Sequence, residues 1–128
     1  MNASPGLPDE VRQELDQLAR TLQVLAEPRR LHILYLLMRR EMCVCEILAE
    51  VGIAQPLVSH HLRVLSRAGL VRPRRQAQRV FYSVVSVALG RLKEAVLAHF
   101  DPQHLPPEAA YGFAATDGPP PEALPEVA

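Results

Sequence analysis

The 128-residue chain has no tryptophan, and aromatic side chains make up only 5% of it. Aromatic and β-branched residues build sheets, so their scarcity disfavours a β-sandwich and points to helices packed through Leu, Val and Ala. Cysteine is nearly absent too: Cys43 and Cys45 stand one residue apart. A pair so close is no secreted multi-bridge framework, and the separation predicts free thiols in place of an unstrained disulfide. No apolar run is long enough for a bilayer, the longest, Leu31 to Met38, being interrupted by His32. No pattern of charge, apolar stretch and small residues resembling an export signal opens the chain, so a cytoplasmic protein without a membrane partner is expected. The length accommodates one domain, too little for a catalytic unit plus a regulatory one.

Net charge is missing as well, with 14 basic residues against 14 acidic ones. Taken as an average, that argues against a polyanionic partner. Its distribution reverses the argument. Between Val51 and Lys93 there is no Asp or Glu, while Arg63, Arg67, Arg72, Arg74, Arg75, Arg79, Arg91 and Lys93 all fall there. The middle third is therefore the part that a nucleic acid would meet.

What is present is periodic. Val11, Leu15, Leu18, Leu22 and Leu25 trace one helix face, suited to a dimer partner or to the chain's own core. Pro28 starts a second helix whose Leu31, Ile33, Leu34, Leu37 and Met38 are expected to be buried, with His32 toward the core. A third helical stretch, CVCEILAEVG, ends at Gly52, and a fourth, from Pro56, keeps apolar spacing through Leu57, Val58, His61, Leu62, Leu65 and Ala68 until Gly69. Helix, glycine turn, helix is the helix-turn-helix layout, whose second helix enters the major groove. Two β-prone runs, Leu70 to Arg72 and Arg79 to Val84, then flank an Arg-rich centre and predict a hairpin wing. A last helix runs through Val87, Leu89, Leu92, Val96, Leu97 and Phe100 and pairs with the first. The expected organisation is a leader over 1–9, a winged helix-turn-helix DNA-binding and dimerisation domain over 10–100, and a Pro-rich disordered tail over 101–128. The fold class is mainly α with a small β-hairpin, homodimeric through the first and last helices.

Double-stranded DNA is the expected partner. On the fourth helix Gln55, Ser59, His60, His61, Arg63 and Arg67 are the candidate contacts to base edges or phosphates. In the wing, Arg74, Arg75, Gln76, Gln78 and Arg79 reach for the backbone or a flanking minor groove. The bland alternative is a merely solvated basic face. For the cysteines, thiolates are soft ligands that select Cu(I), Zn(II), Cd(II), Pb(II) or trivalent arsenic and antimony. A helix start lowers thiol pKa, which suits Cys43 and Cys45 to metal binding, although residues two apart on a regular helix diverge. Their alternative is that of small buried hydrophobes.

Residues Leu25 to Val84 resemble the ArsR/SmtB family of metal-responsive transcriptional repressors. The segment EMCVCEIL is similar to the family's Glu-Leu-Cys-Val-Cys-Asp-Leu metal box, and QPLVSHHLRVLSRAGLV to its Ser-x-His-Leu recognition helix. The resemblance implies a homodimer that binds operator DNA when ligand-free and releases it on binding an ion at Cys43 and Cys45. Trivalent arsenic or antimony is favoured over Cd(II), Pb(II), Zn(II) or Cu(I). It also implies that His61 matches the family's helix histidine, which contacts DNA or supports the helix. Two departures stand out. The third cysteine of arsenite-type members is Leu48 here, and the N-terminal arm supplies none. The interfacial site of zinc-, cobalt- or nickel-type members aligns with Ser86, Ala88, His99 and Pro102, which leaves one ligand and removes that site. Rival readings are a redox- or persulfide-responsive repressor of the same fold and, in a different class, a protein-interaction module that does not touch DNA. Nothing resembling a catalytic set is present, so no enzyme is expected.

Overall fold

Pro8 precedes the first helix, and Asp9 and Glu10 occupy its first turn, where carboxylates complement the helix dipole. The computed structural model describes residues 6–107. In order the elements are α1 (Asp9–Leu25), α2 (Pro28–Arg39), β1 (Met42–Cys43), α3 (Val44–Val51), α4 (Gln55–Arg67), β2 (Val71–Gln76), β3 (Arg79–Val84) and α5 (Ser86–Phe100), followed by a 3-10 turn (Pro102–His104). Glu27 caps α2, its carboxylate accepting the N–H groups of Arg29 at 2.8 Å and Arg30 at 3.1 Å. Gly52 ends α3 at φ 66° and Gly69 follows α4 at φ 77°, the left-handed values for which glycine carries no penalty.

One core joins the middle elements: Ile33, Leu34 and Leu37 of α2, Ile47 of α3, Val58, Leu62 and Leu65 of α4, with Met42 and Val71 from the sheet and Leu70 just before β2. Two helices reach it only at one end, through the half-buried Val24 and Leu25 of α1 and Ala88 and Leu89 of α5. Along α1 only Leu18 is buried, and α5 has no buried residue; Leu22, Val87, Leu97 and Phe100 are all exposed. The pair encloses a cleft of about 790 Å³ lined in part by Leu18, Leu70, Ala88, Leu92 and Ala95. An apolar surface of this kind marks an interface.

The helices and the wing follow the sequence pattern, with several corrections. Leu31 and Met38 of α2 are exposed, as is Leu57 of α4, because each lies one position off the stripe that faces the core. His32 points to solvent for the same reason. The first wing strand is longer than its apolar residues suggested, reaching Gln76, since pairing with β3 holds Arg72, Arg74 and Arg75 extended. Only Ala77 and Gln78 then remain for the turn, and Ala77 is at φ 55°. The sheet also gains β1, giving three antiparallel strands in the order β1-β3-β2. Cys43 thus lies opposite Phe81 and Met42 opposite Tyr82. Of the tail expected to be disordered, 101–107 turns through Pro102–His104, with Asp101 accepting the N–H of Gln103 at 2.9 Å; 108–128 lie outside the described residues.

Candidate nucleic-acid interface and thiol site

Burial of Val58, Leu62 and Leu65 fixes which side of α4 faces outward. Gln55, His60, Arg63 and Arg67 are exposed on the other side, with Ser59 half-buried at its edge. Steps of three and four residues keep His60, Arg63 and Arg67 on one strip of the helix surface, with Gln55 at the start of the helix. Beyond it the wing presents Arg75, Gln78 and Arg79, likewise exposed.

His61 does not join them. It is 5% exposed, so it cannot reach a base edge, and its assignment as a DNA contact is corrected. Its Nδ1 accepts from Arg30 Nη1 at 3.2 Å, which places the proton of the neutral ring on Nε2. That Nε2 is buried without a hydrogen-bond partner, 3.8 Å from Glu27 Oε2. Burial pushes the His61 pKa down, and the Glu27 charge opposes it in part. Burial also acts to raise the Glu27 carboxyl pKa, but the N–H donors of Arg30 and Arg29 outweigh it and hold the net value below the ordinary range. Arg30 Nε also donates to the Val24 carbonyl at the end of α1. One polar cluster therefore ties α1, α2 and the inner face of α4 together. Glu27 and Arg30 carried no signal of this role; only the buried polar position in an otherwise apolar stripe hinted at it.

Arg74 is also not simply offered to solvent. Glu41 grips its guanidinium at 2.7 and 3.1 Å, which lowers the Glu41 pKa and raises that of Arg74. Arg74 donates in addition to Gln76 Oε1 at 2.8 Å. A contact 33 residues apart in sequence leaves no local trace, and Glu41 escaped the sequence reading.

Cys43 and Cys45 form a disulfide, with Cα atoms 5.4 Å apart, which corrects the expectation of two free thiols. The reason is local: Cys43 is extended, at φ −77° and ψ 161°, and Cys45 is in the first turn of α3. A strand-to-helix step removes the divergence that a regular helix imposes, and the Cα separation falls within the disulfide range. Cys43 is 2% exposed while Cys45 is exposed. Glu46 accepts the Cys43 N–H at 3.0 Å, which lowers its pKa, and pairs with Arg40 at 2.8 Å. Both carboxylate oxygens are thereby engaged. Among the described residues no group of three His, Cys, Asp or Glu side chains comes together to hold a metal ion, and Leu48 is half-buried beside the pair. Thiolates are soft ligands, but here the two sulfurs are bonded to each other. His99, far from here, pairs with Glu14 of α1 at 2.8 Å.

Comparison with known proteins agrees with this layout. Residues 27–72 match the bacterial regulatory protein, arsR family. The chain is 37% identical over 93 residues to the HTH-type transcriptional regulator NmtR of Mycobacterium tuberculosis, covering 73% of this chain and 78% of that one. It is 35% identical over 86 residues to the transcriptional repressor SmtB homolog of Synechocystis, which covers 67% of this chain and 65% of the relative's length. The solution structure of a homodimeric winged helix-turn-helix DNA-binding domain from Mycobacterium bovis superposes with a TM-score of 0.58 at 35% identity, covering 80% of this chain and 94% of that one. Sequence, fold and the placement of α4 beside the wing agree that the chain belongs to the ArsR/SmtB family of helix-turn-helix transcriptional regulators.

Proposed function

We propose that the chain is a transcriptional repressor that binds operator DNA as a homodimer and releases it when a thiophilic ion engages Cys43 and Cys45. The observation that carries the DNA half is the outward strip of α4, Gln55, His60, Arg63 and Arg67, continuous with a wing whose stretch of sequence holds no acid. In the bound state α4 occupies the major groove, with Ser59 at its edge, and Arg75, Gln76, Gln78 and Arg79 lie along the backbone. Phosphate contact by these arginines makes affinity fall steeply with salt. The uncovered α1 and α5 surface supports pairing through those helices, and the Mycobacterium bovis relative is described as homodimeric. A two-fold pair would place two copies of α4 in grooves about one helical turn apart.

For the effector, the likeness of EMCVCEIL to the family's metal box favours trivalent arsenic or antimony ahead of Cd(II), Pb(II), Zn(II) or Cu(I), with the place of the third cysteine, Leu48 here, left to solvent, a small thiol or a nearby His. The test is release of a labelled duplex, selected by the protein from a random library, across that ion panel. Replacing both residues, Cys43→Ser with Cys45→Ser, should preserve DNA affinity and abolish ion-induced release. A double variant that still responds would move the site elsewhere.

The disulfide favours a second reading, in which oxidation is the signal. The two thiols would lose two electrons and two protons to a peroxide or an oxidised low-molecular-weight thiol, forming the Cys43–Cys45 bond. Oxidant-dependent release with no response to any ion selects this alternative. In either case ion binding requires the reduced pair, so oxidation and ion loading exclude each other.

A further inference from the structure

The segment that carries the cysteines is part of the same sheet as the wing. Phe81 is the register partner of Cys43 on one side and of Arg74 on the other. Directly opposed residues of an antiparallel sheet share a face, so Cys43, Phe81 and Arg74 form one row across the three strands. The Arg74 guanidinium lies over the Phe81 ring, 5.0 Å from its centroid. Glu41, two residues before Cys43, reaches over to the same guanidinium with both carboxylate oxygens, at 2.7 and 3.1 Å. Thiol segment and wing are therefore joined twice, by backbone pairing and by a two-point ion pair.

We propose that the Glu41–Arg74 pair transmits the state of the Cys43 and Cys45 sulfurs to the wing, making the wing an output of the switch alongside α4. This rests on the thiol-responsive reading above. When the sulfurs are bonded, the two Cα atoms stand 5.4 Å apart. Two thiolates around one ion are not bonded to each other, so the constraint that the bond places on the junction between β1 and α3 is lifted in that state. That junction has no slack: β1 has two residues, and Val44 already begins α3. A shift of Cys43 is passed to Glu41, and Arg74, held between a carboxylate and an aromatic face, follows. The charge matters as well. While Glu41 holds Arg74, this guanidinium is neutralised and fixes the wing; once Glu41 lets go, it is a spare cation at the edge of the DNA surface.

The decisive experiment measures the Kd of the full chain for the selected duplex by fluorescence anisotropy, over a range of salt, in the reduced, arsenite-loaded and disulfide states. Wild type is compared with Glu41→Gln and Arg74→Gln. We expect wild-type affinity to drop at least about tenfold in one of the altered thiol states, and that drop to shrink below about threefold in both variants. In the disulfide state, in which Glu41 holds Arg74, Glu41→Gln should also bind with a salt slope steeper by about one, because Arg74 is released toward phosphate. A purely structural role would weaken reduced and altered states alike and leave their ratio unchanged, which overturns the proposal. If Glu41→Gln does not fold, Arg74→Gln, on the exposed wing, decides alone. A wild type with the same affinity in all three states removes the thiol reading and the coupling with it, whereas a responsive wild type with equally responsive variants removes the coupling only.

Discussion

Replacing His61 tests the mounting of the recognition helix. The side chain is 5% exposed and accepts from Arg30 Nη1 at 3.2 Å. His61→Ala leaves a half-buried guanidinium short of an acceptor and opens an imidazole-sized gap under α4. An unmet buried polar partner costs about 1 to 3 kcal/mol, and the lost packing adds to it, so a total of about 2 to 3 kcal/mol is expected. For a domain of this size that is a fall in melting temperature of about 10 to 20 °C. His61→Asn is the sharper probe, because its Oδ1 occupies the place of Nδ1 and keeps the Arg30 contact without a titrating ring. The sign of the pH effect follows from burial, which holds the folded-state pKa below the ordinary value of 6.5. Below that pH the unfolded chain takes up a proton that the folded chain refuses, so the stability present above pH 6.5 is lost as pH falls. Stability therefore rises with pH in that window, with about 1.4 kcal/mol per pH unit as the ceiling for one proton. Glu27, Arg29, Arg30 and His60 face or adjoin the ring and stay in both proteins, so the difference between wild type and His61→Asn isolates it. Urea denaturation from pH 7.5 to 5, at fixed protein concentration, reads it out. Equal slopes for the two proteins would refute the account of a buried, neutral His61.

Three further outcomes are expected. Ala77 sits at φ 55° in the wing turn, so Ala77→Gly should stabilise the chain by about 0.5 to 1 kcal/mol, seen as a higher urea midpoint; an unchanged or lower midpoint contradicts a strained turn. Leu97→Glu, placing a charge on the uncovered α5 surface, should convert the dimer to monomers in sedimentation velocity and cut DNA affinity at least about tenfold, since each monomer then holds a single half-site. A variant that remains dimeric would exclude that face from the interface. In the reduced protein, iodoacetamide should modify the exposed Cys45 well before the buried Cys43, with peptide mass mapping to assign each; equal rates would argue that the junction opens freely.

Much of this arrangement was legible in the sequence because it rests on local rules. Helix periods, Pro28, Pro56, Gly52 and Gly69 marked α1 to α5, and the acid-free stretch marked the exposed basic side of α4 and the wing. The errors have one physical source, the third dimension. Leu31, Met38 and Leu57 keep helical spacing, but the core they would face is narrower than the stripe that includes them. His61 shared the polar character of its neighbours His60 and Arg63, although its place in the apolar spacing of α4 already put it on the inner face. β1 is two residues long, too short for any periodic signal, and exists because β3 offers it an edge. The disulfide was missed because a regular helix was assumed where the chain steps from strand to helix.

The unequal burial of the two sulfurs has a kinetic consequence. Cys43 is sealed in the core edge, 2% exposed, whereas Cys45 opens to solvent. An incoming ion, oxidant or small thiol therefore collides with Cys45 first, and Cys43 can act only on what Cys45 has already captured. Capture and commitment become successive events: a reversible landing on the outer sulfur, then closure by the inner one. Under the proposed thiol-responsive function, a competitor that binds a single thiol and leaves before closure would be sampled and discarded, and selectivity would arise from dwell time on Cys45 as well as from affinity for the completed pair.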